Sequence, residues 1–169
     1  KADKQKESEM LKVYASEVTL NDTTNREGFA AKVYFNALFG MGFTRDKACA
    51  VNAALDYGYT VLLSCFNREV AAAGYLTQFG IRHCNDFNQF NYSCDLIEPF
   101  RVIIDNYVYF SPPSDTLTGE YKRELISLLQ TKVSLEKEHF LSDAVGIFVR
   151  RMSEAVSTGD IQSVKMYEF

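Results

Sequence analysis

Three residues in this chain carry side chains that suit a catalytic divalent cation: Glu27, His83 and Glu98. Such a cation needs a few fixed oxygen or imidazole ligands and open positions for the oxygens of a substrate. Each residue also has a plainer interpretation. A glutamate at a helix start is favoured by the helix dipole without any ligand, and a histidine in a connection commonly has a structural hydrogen bond. The sequence permits a metal site and leaves the structural interpretation open.

The segment CDLIEPFR places two carboxylates and a guanidinium on an otherwise apolar stretch. Asp95, Glu98 and Arg101 are three residues apart, so on a helix they project from one face. Pro99 is tolerated in the first turn of a helix, where its missing N–H costs nothing. We therefore expect a helix N-terminus here, with Ser93 as its cap.

Two helices must position the first carboxylate and the core around it. The stretch NREGFAAKVYFNALFG has Asn25 as a candidate cap, apolar residues at helical spacing, and Gly40 as its stop. A second helix is predicted from Thr44 to Gly74, roughly 40 Å long if continuous. It is apolar on nearly all sides, so it should run through the core, and Gly58 should permit a close helix approach.

The remainder of the chain also has a mainly helical pattern. The segment between the long helix and residue 93 contains turn residues and no sustained period, and SPPSDTLTGE is a loop. The predicted fold class is all-α, an irregular multi-helix domain over residues 1–169 with one long central helix. Residues near 133–141 are compatible with a short hairpin. Further helices are predicted over these ranges: 93–109, 120–131 and 142–156.

Composition limits the class of protein. The 169 residues are 47% hydrophobic and 14% aromatic, which suits one domain with a real core. No apolar run of about 18 residues is present, so no membrane partner is expected. The net charge of −4 is on its own only a weak argument against nucleic acid as a partner, because the basic residues spread along the chain could still form a local patch in the fold. Four cysteines without paired metal spacing indicate reduced thiols and a cytosolic location.

Three motifs occur in order and resemble one known family. The helical catalytic domain of the CRISPR-associated spacer integrase is similar to three segments of this chain: NREGFAAKVYFNALFG, VNAALDYGYTVLLS and NQFNYSCDLIEPFRVIID. Their residues most resemble those of the type II-A branch. The similarity runs from about residue 14 to 109. In that family a small β-rich domain that helps form a homodimer precedes the helical domain. The resemblance therefore implies a fragment that lacks this N-terminal domain.

The resemblance implies a role for five residues. Glu27, His83 and Glu98 match the three metal ligands of the family. Asp95 matches the upstream acid of the D-x-x-[D/E]-x-x-[K/R] motif, and Arg101 matches its basic end, which would meet a phosphate. One position departs from the type II-A pattern, because Phe29 stands where relatives often have His.

The resemblance further implies the activity, cofactor and partners. The family joins the 3′-hydroxyl ends of spacer DNA to a CRISPR repeat by transesterification and acts as an endonuclease, with Mg²⁺ or Mn²⁺ as cofactor. The implied partners are double-stranded DNA, a second copy of the full-length protein and a small dimeric CRISPR adaptation protein, in the bacterial cytoplasm; the isolated fragment would be inactive. The alternative is a non-catalytic helical module that binds DNA or protein and only retains the acidic positions.

Overall fold

A computed structural model of the chain describes residues 4–135 and 137–167, and for Leu135 and Ser163 it describes the backbone alone. Contacts divide the chain into two compact units, the first ending at Ala48 and the second beginning at Cys49. The prediction of one catalytic domain over residues 1–169 stays a prediction.

The first unit is a pair of packed helices, α1 (Gln5–Glu17) and α2 (Arg26–Phe39). The rings of Tyr14 and Phe29 lie 6.3 Å apart between them. Neither helix contains a fully buried residue. Phe29, which stands at the position where relatives often have His, is 48% exposed.

The side chain that caps α2 is the carboxylate of Asp22 rather than the amide of Asn25. Asn25 occupies the predicted cap position directly before the helix, with φ of 54°, but its side chain makes no capping hydrogen bond. The backbone N–H groups of Arg26 and Glu27 instead donate to the two oxygens of Asp22, at 2.7 and 2.9 Å. This satisfies two of the helix's otherwise unpaired N–H groups. The predicted stop at Gly40 is confirmed.

The second unit is built from helices and one small antiparallel hairpin, which confirms the mainly helical fold class with a long central helix. In the hairpin, Lys132 pairs with Phe140 and Val133 with His139. The elements of this unit are α3 (Ala50–Ala72), α4 (Asn91–Ile97), α5 (Arg101–Phe110), α6 (Gly119–Ser127), β1 (Lys132–Leu135), β2 (Lys137–Phe140) and α7 (Leu141–Thr158). Short 3₁₀ turns lie at Leu20–Asp22, Glu98–Phe100, Leu128–Gln130 and Ile161–Ser163.

Helix α3 is the centre of the second unit and packs against α4, α5, α6 and α7. The rings of Phe66 and Phe148 pack on Phe100 with centroids 5.1 and 5.0 Å away, in tilted or edge-on arrangements that aromatic pairs prefer. The predicted close approach at Gly58 is confirmed, because a Cβ there would lie 2.4 Å from the Ile104 side chain.

The central helix begins six residues later than predicted, at Ala50 rather than Thr44. The Thr44 side chain hydrogen-bonds the carboxylate of Asp46, which lowers the pKa of that carboxyl. Local side-chain bonds of this kind compete with helix formation. Cys49, the residue before the helix, is extended with φ of −155° and ψ of 162°.

The predicted helix over 93–109 is two helices joined by a 3₁₀ turn. Helix α4 begins at Asn91, so Ser93 lies inside it, fully buried, and is not a cap. Pro99 lacks an N–H and crowds the preceding turn, so the chain tightens at Glu98–Phe100 before α5 begins at Arg101. A helical start with Pro99 in its first turn is therefore present at Glu98–Arg101, as predicted, but Ser93 is not its cap, and Asp95 lies on the preceding helix.

The cysteines are free thiols, with Cys65 buried and Cys84 exposed. Within the described ranges, no helix combines the length and apolar character needed to cross a membrane.

Candidate active site

The carboxylate of Asp95 organises the segment that carries His83. Its Oδ2 accepts hydrogen bonds from the backbone N–H groups of Ile81 and Arg82, at 2.5 and 2.9 Å. Its Oδ1 accepts the backbone N–H of His83 at 3.2 Å and lies 2.5 Å from the ring atom Nδ1. One side chain on α4 thus holds three consecutive residues of the connection between α3 and α4.

The hydrogen bonds around Asp95 favour its charged form. Burial on its own raises the pKa of Asp95, but the N–H of Arg82, the His83 ring and the N–H groups of His83 and Ile81 act the other way, and the pKa is lowered. A carboxylate that accepts several N–H groups stays ionised. Asp95 is therefore an anion next to the imidazole.

This anion sets the orientation and tautomer of His83. A carboxylate beside Nδ1 holds the proton on Nδ1 and leaves Nε2 with a free lone pair, the arrangement found behind histidines that bind metals. The His83 side chain is 44% exposed, so the ring remains accessible. The sequence matched Asp95 to the site, and the structure shows it contacting a predicted ligand directly.

The turn requires glycine at position 80, because the backbone of His83 and the carboxylate of Asp95 leave no space there for a side chain. A Cβ at Gly80 would lie 2.3 Å from the carbonyl oxygen of His83 and 2.8 Å from Oδ2 of Asp95. Both distances are below any normal contact, so a larger residue would push the turn away from the carboxylate. The glycine in the stretch FGIRH is therefore a requirement of the turn.

Glu98 and Arg101 form a second charged pair, three and six residues after Asp95. Glu98 opens the 3₁₀ turn, and its Oε1 lies 3.2 Å from a terminal nitrogen of Arg101. Their side chains are 49% and 38% exposed, so both remain accessible to a ligand. The guanidinium also lies over the ring of Tyr59, with its carbon 5.0 Å from the ring centroid.

Glu27 lies in the first unit, in the first turn of α2, and is exposed. The structure thus brings together His83 with Asp95, and Glu98 with Arg101, all in the second unit. The described ranges 4–135 and 137–167 contain no group of three or more His, Cys, Asp or Glu side chains arranged to hold a metal ion. The predicted ligand set of Glu27, His83 and Glu98 stays a prediction.

The donor chemistry of the second unit fits a divalent cation. His83 offers an oriented Nε2, and Glu98 offers an accessible carboxylate. Mg²⁺ takes oxygen ligands, and an imidazole ligand favours Mn²⁺ more than an all-oxygen site does. A pocket of about 340 Å³ opens beside the imidazole and is lined partly by amide side chains, from Gln78, Asn85, Asn88, Gln89 and Asn91. Amides both donate and accept hydrogen bonds, so the pocket suits a polar substrate.

Sequence reasoning missed Tyr59, whose ring lies under Arg101. The segment LDYGYT gave one signal, since a glycine inside an apolar helix marks a close helix approach and its neighbours then face the second helix. Which helix would approach could not be read from the sequence.

Comparison with known proteins gives consistent matches. The family model described as CRISPR associated protein Cas1 matches residues 2–120. The CRISPR-associated endonuclease Cas1 of Neisseria meningitidis is 37% identical over 163 residues, covering 94% of this chain and 54% of the relative. A second relative, from Thermodesulfovibrio yellowstonii, is 31% identical over 101 residues, covering 54% of this chain and 32% of its own length. The chain thus spans about half the length of the Neisseria relative.

Two solved structures share the fold. A chain of a Cas6-RT-Cas1–Cas2 complex superposes with a TM-score of 0.73 at 20% identity, covering 98% of this chain and 22% of that chain. A casposase bound to integration product superposes with a TM-score of 0.68 at 18% identity, covering 90% of this chain and 56% of that chain.

Proposed function

Because the chain belongs to the CRISPR-associated protein Cas1 family, we propose that it carries the strand-transfer site of a CRISPR adaptation integrase. The reaction joins the 3′-hydroxyl ends of spacer DNA to phosphodiesters of a CRISPR repeat. One phosphorus–oxygen bond forms and one breaks, so the number of phosphodiester bonds is conserved.

The observation that carries the proposal is the Asp95–His83 pair. The carboxylate of Asp95, with its side chain 9% exposed, orients an accessible imidazole and leaves Nε2 free, which is the arrangement that supports histidines in metal sites. In the non-catalytic alternative, the Asp95–His83 contact serves only to hold the turn between α3 and α4.

We assign Glu27, His83 and Glu98 as the residues that would hold Mg²⁺ or Mn²⁺. When bound, such a cation supplies Lewis-acid polarisation of a phosphate oxygen. Asp95 keeps the His83 proton on Nδ1, and Arg101 offsets negative charge on the phosphate through charge-assisted hydrogen bonds.

The proposed partners follow those of the two structural neighbours. One structural neighbour is part of a Cas1–Cas2 complex and the other is bound to an integration product. We propose that the complete gene product binds double-stranded DNA as a homodimer, together with a small dimeric adaptation protein. The assignment to the type II-A branch stays a prediction.

An integration assay of the complete gene product with its small partner tests this proposal. Wild type should insert labelled DNA into a repeat-containing plasmid, and Glu98→Ala should not. Glu154→Ala is the matched control, because Glu154 is an exposed carboxylate on α7, outside the site. Full integration by Glu98→Ala would favour the non-catalytic module.

A further inference from the structure

The guanidinium of Arg101 is held from two sides. One terminal nitrogen pairs with Glu98 at 3.2 Å, and the guanidinium carbon lies 5.0 Å from the centroid of the Tyr59 ring. A cation over an aromatic face is attracted to the ring's negative face. Within the described part of the chain, the buried Nε of Arg101 has no hydrogen-bond partner, so the ring and Glu98 are the contacts that fix it.

Tyr59 is itself held in place by the packing of α3 against α5. Gly58 and Ile104 meet where a Cβ would lie only 2.4 Å from the isoleucine, so the two helices are very close. Tyr59 and Asp105 are the next residues on each helix, and the Tyr59 hydroxyl donates to Oδ1 of Asp105. Asp105 is only 4% exposed, which makes it a rigid acceptor.

The two contacts on Arg101 differ in how they respond to a cation at the site. Glu98 is a proposed metal ligand, and a carboxylate that neutralises a cation attracts a guanidinium less strongly. The ring of Tyr59 does not bind the cation, so its contact with the Arg101 guanidinium persists when the cation is bound. Both Tyr59 and Arg101 line a pocket of about 210 Å³, through which a substrate can reach the guanidinium.

We infer that Tyr59 is a positioning residue for Arg101: its ring, anchored by Asp105, keeps the guanidinium in place for the phosphate when Glu98 is engaged elsewhere. This inference rests on the proposed role of Arg101 in strand transfer. Pre-organising a long side chain removes part of the rotamer entropy lost when it meets its partner. The effect should appear in the rate of the chemical step more than in DNA affinity.

A kinetic cycle on the complete gene product tests the inference. Single-turnover strand transfer of labelled DNA into a repeat-containing plasmid is measured for wild type, Tyr59→Phe and Tyr59→Leu, and again for Tyr59→Leu in an Arg101→Ala background. Tyr59→Leu should be roughly 3- to 30-fold slower, the range that cation–π contacts span, with DNA affinity unchanged. Tyr59→Phe keeps the ring, so its rate should lie between those of wild type and Tyr59→Leu. In the Arg101→Ala background, Tyr59→Leu should not lower the strand-transfer rate any further.

A matched control and a direct readout accompany the cycle. Tyr121→Leu removes another half-buried tyrosine, whose hydroxyl donates to the Ser111 carbonyl away from the site, and should keep the wild-type rate. The side-chain Nε–H resonance of Arg101, identified by its loss in Arg101→Lys, should show a ring-current shift. That shift should persist in Tyr59→Phe and disappear in Tyr59→Leu.

The outcomes separate the positioning role from the proposed function. Equal losses from Tyr59→Leu with and without Arg101 would make Tyr59 a structural residue and overturn the inference, as would a wild-type rate in Tyr59→Leu or an unshifted Arg101 resonance. A wild type that transfers no strands would instead overturn the proposed function.

Discussion

Replacing Asp95 with Asn should disable the site while changing the shape of the side chain very little. The carboxylate accepts four N–H contacts, two on each oxygen, and its side chain is only 9% exposed. Asparagine has one acceptor oxygen, so it can serve only two of these donors, and its NH₂ group faces the other two. The variant must therefore lose either the turn at Ile81 and Arg82 or the pairing with His83.

If the amide turns its NH₂ group toward His83, the tautomer of the imidazole should invert. The NH₂ group would donate to Nδ1, the proton would move to Nε2, and the ring could no longer bind a cation through that atom. Loss of such a supporting carboxylate costs roughly 10- to 100-fold in metal affinity. Two lost hydrogen bonds to a charged acceptor, at a turn that water can reach, should cost about 1–3 kcal/mol of unfolding free energy.

Two measurements on the complete gene product test this prediction. Mn²⁺ titration by calorimetry should show the drop in affinity, and urea unfolding should show the smaller stability. Asp115→Asn, an exposed carboxylate in the loop before α6, is the matched control and should change neither. Wild-type Mn²⁺ affinity together with wild-type stability in Asp95→Asn would refute the argument that Asp95 holds both the turn and the tautomer of His83.

Three further predictions follow from the same contacts. His83→Ala should weaken Mn²⁺ binding and abolish most strand transfer while unfolding at nearly the wild-type urea concentration, because the ring is partly exposed; wild-type integration would remove its assigned role. Arg101→Lys should keep part of the strand-transfer activity and Arg101→Ala should lose most of it, since ammonium cannot reproduce a bidentate contact; full activity of the alanine variant would leave Arg101 with only its ion pair to Glu98. Burial raises the pKa of Cys65, whereas Cys84 is exposed, so iodoacetamide at pH 8 should alkylate Cys84 first, and mass spectrometry showing Cys65 modified first would contradict the packing of α3.

Much of the helical framework was predictable because it depends on local signals. The apolar character of α3, the stop at Gly40 and the loop after α5 follow from residue types and short-range spacing. The errors lie where neighbouring side chains compete with the helix. The Thr44–Asp46 bond delays α3, and Pro99 splits one expected helix into two.

The site was predictable in its residues and less so in its contacts. The motif order indicated His83, Asp95 and Arg101 through family resemblance, but their partners depend on tertiary packing. The contact of Tyr59 with Arg101 requires α3 and α5 to pack against each other, and the sequence does not state which helices are neighbours. The Asp95–His83 bond likewise joins residues twelve positions apart through an irregular turn.

The central claim is that Glu27, His83 and Glu98 bind one cation in the complete gene product. Crystals soaked in Mn²⁺ and measured at the manganese absorption edge test it directly. The account predicts one anomalous peak about 2.0–2.6 Å from Nε2 of His83 and from carboxylate oxygens of both glutamates. A manganese ion bound elsewhere, with these three side chains in separate environments, would contradict it.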